Sequence, residues 1–211
     1  MGLMALHQGA GAVMAFWRMT EDWETLCDTV DNPELVEEAI RRFVSQERRM
    51  EWLAVRALLN VMRTGKHEIA YYPSGRPYLT DGSFEISISH TKGFVAILLG
   101  DVPVGIDIEY YSHRVHRVKS RFVRPDEEVL SYRGDDTFGL LLIWTAKEAV
   151  YKVMNREGVD FLEHLQVLPF EEPLAENGTI RVQEHLTSQH RVFEVFYSID
   201  CEFVTSWLYD K

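Results

Sequence analysis

Apolar positions along this chain repeat with two different periods. Between Gln46 and Met62 the residues Trp52, Val55, Leu58, Leu59 and Met62 return every three or four positions, the spacing of a helix with one buried face. Gly65 is the expected stop. A preceding helix is expected over residues 33–43, because Asn32 can cap it and Pro33 suits its first position. Residues 12–19 have strand composition. Short β-like runs at 85–89, 94–99 and 104–109 are set apart by the turn pairs Asp81-Gly82, Lys92-Gly93 and Gly100-Asp101. Helices are expected again from Pro125 to about Tyr132 and from Asp135 or Asp136 to near Asn155. Strands at 179–184, 191–198 and 202–208 end the chain as a meander.

Helices followed by antiparallel strands thus occur twice. The expected fold class is α+β, with two similar lobes, 1–103 and 104–211, each placing helices on a small antiparallel sheet. No linker rich in Pro, Gly or Ser divides them near Pro103. A cleft between two such lobes is the natural place for a site.

Composition narrows the function. An apolar fraction of 46% over 211 residues supports a substantial core. The net charge of −11 argues against a nucleic-acid binder. One stretch departs from that average: residues 113–124 hold Arg114, Arg117, Lys119, Arg121, Arg124 and two histidines with no acid. Cys27 and Cys201 form neither a disulfide framework nor a metal spacing, so a cytoplasmic setting is expected. The apolar N-terminus lacks a basic leader segment, and no run approaches the ~20 apolar residues of a membrane span.

Charged chemistry concentrates in two places. In Gly105-Ile106-Asp107-Ile108-Glu109 the acids alternate with apolar residues, so on a strand Asp107 and Glu109 share a face. Adjacent carboxylates repel unless a cation lies between them, although a solvated strand face has the same pattern. In the segment from Trp144 to Lys152, helical spacing gathers Trp144, Lys147, Glu148, Tyr151 and Lys152 within about 140° of one another. An amphipathic helix with a Glu148–Lys152 pair fits that spacing too. Together the two elements offer three carboxylates, the ligand type Mg²⁺ prefers beside phosphate oxygens, and two ammonium groups for phosphate charge. Arg76 in Gly75-Arg76-Pro77-Tyr78, and Ser89 and His90 in Ser87-Ile88-Ser89-His90, add anion-binding donors.

The order of these motifs resembles the 4′-phosphopantetheinyl transferase superfamily, in its larger monomeric form with two pseudo-symmetric lobes. Gly105 to Glu109 and Trp144 to Lys152 carry the resemblance most specifically, joined by Arg121-Phe122 with Glu127 and by the segment Ser45 to Leu59 containing Arg48 and Arg56. The resemblance implies transfer of the phosphopantetheine arm of coenzyme A to a serine of an acyl or peptidyl carrier protein, releasing 3′,5′-ADP. By matching positions it implies that Asp107, Glu109 and Glu148 hold Mg²⁺. Lys152 and Lys147 would meet phosphate, and Arg48, Arg76, Ser89 and His90 would hold the adenosine and 3′-phosphate end. Glu148 is the implied acceptor of the serine proton, directly or through water. The family's glycine-lysine-glycine loop is here Arg156-Glu157-Gly158, which leaves that contact open.

Carrier proteins are acidic, and a chain at −11 needs a local positive patch to meet one. Arg114, Arg117, Lys119 and Arg121, with Phe122 as an apolar anchor, are the expected docking residues. Two rival readings use the same residues: a non-catalytic binding protein, and a phosphohydrolase in which water replaces the carrier serine. A monomer without nucleic-acid or membrane partners completes the expectation.

Overall fold

The computed structural model describes residues 2–9, 11–63, 67–170 and 173–210 and divides the chain into two compact units, Met1–Asp101 and Val102–Lys211. The expected stop at Gly65 lies outside the described residues.

Unit 1 is built on an antiparallel sheet in the order β1-β2-β6-β5, formed by β1 (Leu3–Gly9), β2 (Ala12–Arg18), β5 (Glu85–Thr91) and β6 (Phe94–Gly100). Three helices join β2 to a small hairpin: α1 (Trp23–Val30), α2 (Pro33–Arg42) and α3 (Gln46–Met62). The hairpin is β3 (Ile69–Tyr71) and β4 (Pro77–Leu79). As expected, Asn32 caps α2, its Oδ1 accepting from Glu34 N at 3.1 Å and Leu35 N at 3.3 Å. Leu53, Ala54, Ala57 and Leu58 of α3 share a core with Ala15, Trp17, Val95, Ile97 and Leu99 of the sheet. Each fully buried leucine stabilises the unit by roughly 2 kcal/mol relative to an exposed one.

Unit 2 carries an antiparallel sheet in the order β7-β11-β10-β9-β8: β7 (Val104–Tyr110), β8 (Leu165–Val167), β9 (Asn177–Glu184), β10 (Val192–Ile199) and β11 (Phe203–Tyr209). The long helix α5 (Asp136–Met154) lies across it, capped by Asp135, whose Oδ1 accepts from Thr137 N at 2.8 Å. Leu142, Ala146, Ala149 and Val150 join Val182, Val195, Val204 and Leu208 in its core. The short helix α4 (Val115–Val118) and a 3₁₀ turn (Lys119–Arg121) occupy the basic stretch.

The α+β class holds, and one expected helix does not form. Residues 125–132 are irregular because their polar groups serve tertiary contacts instead. The Glu127 carboxylate accepts from Arg124 N at 2.7 Å and Val167 N at 2.6 Å. The Leu130 carbonyl lies so close to Gly139 of α5 that a Cβ there would stand 1.9 Å from it.

Candidate functional site

β7 and α5 build the acidic centre of unit 2. Gly105 lets them meet, since a Cβ at that position would stand 2.1 Å from the Ala149 carbonyl oxygen. Two and four residues further along the strand, Asp107 and Glu109 point to the same side as each other. Both touch α5: Lys152 Nζ lies 2.8 Å from Asp107 Oδ1, and Trp144 Nε1 donates to Glu109 Oε1 at 3.1 Å. Lys152 Nζ also donates to Ile106 O at 2.7 Å, so backbone and carboxylate fix it together.

Glu148 sits between Trp144 and Lys152 on the helix. Its carboxyl is pushed up to about 7, first by burial and then by the negative charge of Asp107, with Lys152 opposing and Glu109 adding to the rise. The three acids therefore feel one another, as like charges gathered in a poorly solvated site must. Hard oxygen donors of this kind suit Mg²⁺. Among the described residues, however, no group of three or more His, Cys, Asp or Glu side chains is arranged as it stands to hold a metal ion.

Lys147 takes a different part from the expected phosphate contact. Its side chain is fully buried, and Nζ donates to Phe122 O at 2.6 Å and Phe161 O at 3.1 Å while pairing with Glu127 Oε1 at 2.7 Å. Its three N–H donors are matched inside the protein, so Lys147 ties segments 122–127 and 161–167 to α5. Phe122 is likewise core: it is fully buried and meets Trp144 edge-on at 5.1 Å between ring centroids. It cannot be an exposed docking anchor. Arg124 is spent on Asp126 and the Leu162 carbonyl. Arg114, Arg117, Lys119 and Arg121 are exposed.

Unit 1 contains a cavity of about 310 Å³ lined by α2, α3, the β3–β4 hairpin and β5. Arg48 and His90 line it, and both face Glu51 Oε2, at 3.1 and 3.5 Å. Arg76 and Ser89 are not among the lining residues. Arg76 is held by Glu85 at 2.6 Å. Ser89 neighbours His90 on β5, and strand alternation turns it to the opposite face from Ile88 and His90, which do line the cavity. Sequence reasoning gave no role to Arg42, Glu51, Trp52 or Tyr71, which also line it, and knew Arg56 only as part of a motif. The signal was present, because Arg48, Glu51, Trp52, Val55 and Arg56 fall on one helical face.

A family model described as the 4′-phosphopantetheinyl transferase superfamily matches residues 103–206. Over these residues, about half of the chain, the sequence is similar to that superfamily. The α+β architecture agrees with the superfamily's fold. A Haemophilus influenzae (strain ATCC 51907 / DSM 11121 / KW20 / Rd) protein, provisionally named a 4′-phosphopantetheinyl transferase, is 33% identical over 87 residues. That similarity spans 37% of this chain and 37% of the relative. Asp107, Glu109, Glu127, Lys147, Glu148 and Lys152 all lie inside the superfamily match, and the cavity of unit 1 lies outside it. No helix among the described residues is long and apolar enough to cross a membrane.

Proposed function

We propose that the chain transfers the 4′-phosphopantetheine arm of coenzyme A to a serine hydroxyl of an apo acyl or peptidyl carrier protein, releasing 3′,5′-ADP. The observation that carries this reading is the acidic centre: Glu148 stands in the field of Asp107 and Glu109, beside a lysine fixed on Asp107. Asp107, Glu109 and Glu148 are the residues that would hold Mg²⁺, which when bound supplies positive charge to the pyrophosphate.

The chain's own residues account for the remaining chemistry. In the transfer, the serine oxygen bonds to the β-phosphorus as the bond from that phosphorus to the 3′,5′-ADP oxygen breaks. Glu148 is the carboxylate that would accept the serine proton, directly or through water. Lys152, held by Ile106 O and Asp107, carries a fixed positive charge to offset what gathers on the leaving phosphate. Arg48 and His90 face the phosphate-bearing nucleotide end in the cavity of unit 1. The exposed Arg114, Arg117, Lys119 and Arg121 give an acidic carrier its local attraction.

Incubation with coenzyme A, Mg²⁺ and a panel of apo carriers, read by mass spectrometry, tests the reading. The expected result is a gain of one phosphopantetheine on at least one carrier, with no coenzyme A cleavage when carrier is left out. Glu148→Gln is expected to lower the transfer rate by about 10²- to 10⁴-fold while the fold persists. Cleavage without carrier, or a near-normal rate in the variant, would contradict it.

A further inference from the structure

Unit 1 contains a second cavity, of about 300 Å³, that the transfer proposed above does not use. It lies at the end of the sheet where β2 begins and β6 stops, and Arg63, the residue that closes α3, lines it. Its volume falls at the low end of the roughly 300–1,000 Å³ of small-molecule sites. Val13, Phe84 and Leu99 supply apolar wall.

Two opposite charges line this space. Arg63 is anchored by its own amide, which donates to Leu59 O at 3.0 Å, and its guanidinium carbon lies 3.7 Å from the Phe84 ring centroid. A ring beneath the guanidinium plane accepts none of the N–H groups that lie within that plane. Nε is shut off from water and has no hydrogen-bond partner. Asp101 is fixed on the turn between β1 and β2. Its amide donates to Gly11 O at 3.2 Å, and a Cβ on Gly11, whose φ is +76°, would stand 3.1 Å from Asp101 Oδ2. Among the described residues neither Arg63 nor Asp101 forms an ion pair, with the other or with a third group.

Arginine stays charged in such a setting, and a buried N–H without an acceptor is destabilising. The orphaned Nε defines the shape of the missing group. With the neighbouring Nη it forms one side of the guanidinium fork, two parallel donors that match the two oxygens of a carboxylate. A phosphate monoester offers similar oxygens at nearly twice the charge, which Asp101 in the same cavity opposes. Asp101 favours the opposite group, an ammonium. One cation and one anion in the wall leave the lining neutral, so the ligand that satisfies both is a zwitterion. The apolar wall favours a hydrocarbon group on the same molecule.

We propose that this cavity binds a free α-amino acid with an aliphatic side chain: its carboxylate on Arg63, its ammonium on Asp101 and its side chain against Val13, Phe84 and Leu99. The site is independent of the transfer reaction, because no residue of the acidic centre or of the first cavity takes part in it.

Titration of the ¹⁵N-labelled full chain with L-leucine, 4-methylpentanoate and 3-methylbutylamine, followed by NMR, tests the assignment. The two analogues are leucine without its ammonium and leucine without its carboxylate. The wild type is expected to bind L-leucine at about 1 mM or tighter, with saturating shifts at the amides of Gly11, Val13, Leu99 and Asp101. Each analogue is expected to bind about 10- to 100-fold more weakly, the range of a charge-assisted hydrogen bond. Arg63→Gln is expected to erase the advantage of L-leucine over the amine, and Asp101→Asn its advantage over the acid. Asp101 is exposed, so Asp101→Asn keeps the fold and the test stands even if Arg63→Gln does not fold. An unchanged advantage in either variant overturns the proposal. So does wild-type binding of either analogue as tight as that of L-leucine, saturation only at amides elsewhere in the chain, or no saturation with any probe.

Discussion

The acidic centre of unit 2 and the cationic cavity of unit 1 solve opposite electrostatic problems by similar means. At the first, Asp107, Glu109 and Glu148 are crowded together, with Lys152 fixed on Asp107 and burial keeping Glu148 near neutrality. At the second, Arg42, Arg48 and Arg56 outnumber Glu51, and the ring and backbone carbonyl of Trp52 hold the buried Arg56. Each region carries an excess of one sign. The Lys147–Glu127 pair is the useful contrast, because it is as deeply buried as either but every donor is matched. How completely a charge is paired separates a structural ion from one that faces a ligand.

Breaking the complete pair should have the largest effect on stability. Glu127→Ala strands a buried ammonium and frees two backbone donors, so a loss of about 3–5 kcal/mol is expected in urea unfolding. A loss below about 1 kcal/mol, the range of a surface pair, would remove the distinction drawn from it.

The incomplete acidic centre should instead appear as a pH dependence. With its folded value raised from 4.5 to about 7, Glu148 contributes stability that is fully present below pH 4.5 and is lost as pH rises through 7. In metal-free protein this amounts to about 3 kcal/mol across the interval. Thermal unfolding of wild type and Glu148→Gln from pH 5 to 8 isolates it: their difference should grow in favour of the variant at higher pH, and Mg²⁺ should shrink it. Parallel curves without metal would contradict the crowding of the three acids.

A smaller effect is expected at the exposed basic residues. Charge reversal at Arg117 and Arg121 should raise KM for an acidic carrier about three- to tenfold and leave KM for coenzyme A unchanged. Equal shifts in both would mean that the substitutions act through the fold.

What could be read from sequence follows the range of the interactions. The helix over Gln46–Met62, the caps at Asn32 and Asp135, and the strands around Asp107 were readable because periodicity and capping are local. Helix α1 and the β3–β4 hairpin were missed, the first being short and the second depending on packing. Residues 125–132 misled because a proline start resembles a helix, while the Glu127 carboxylate makes long-range contacts to Lys147 and Val167 that no local pattern contains. Lys147 was misassigned for a related reason. At the edge of the helical arc, its direction depends on which neighbour takes it up. Arg56 carried a helical-face signal, but its place in the cavity wall is a property of three dimensions.

The most direct test of the acidic centre is Mn²⁺ binding, followed by electron paramagnetic resonance, to the full chain in the presence of coenzyme A. One saturable Mn²⁺ per chain is predicted for the wild type, competed by Mg²⁺ and lost in both Asp107→Asn and Glu148→Gln. Equal binding in wild type and both variants, or no saturable binding in the wild type, would contradict a shared cation among Asp107, Glu109 and Glu148.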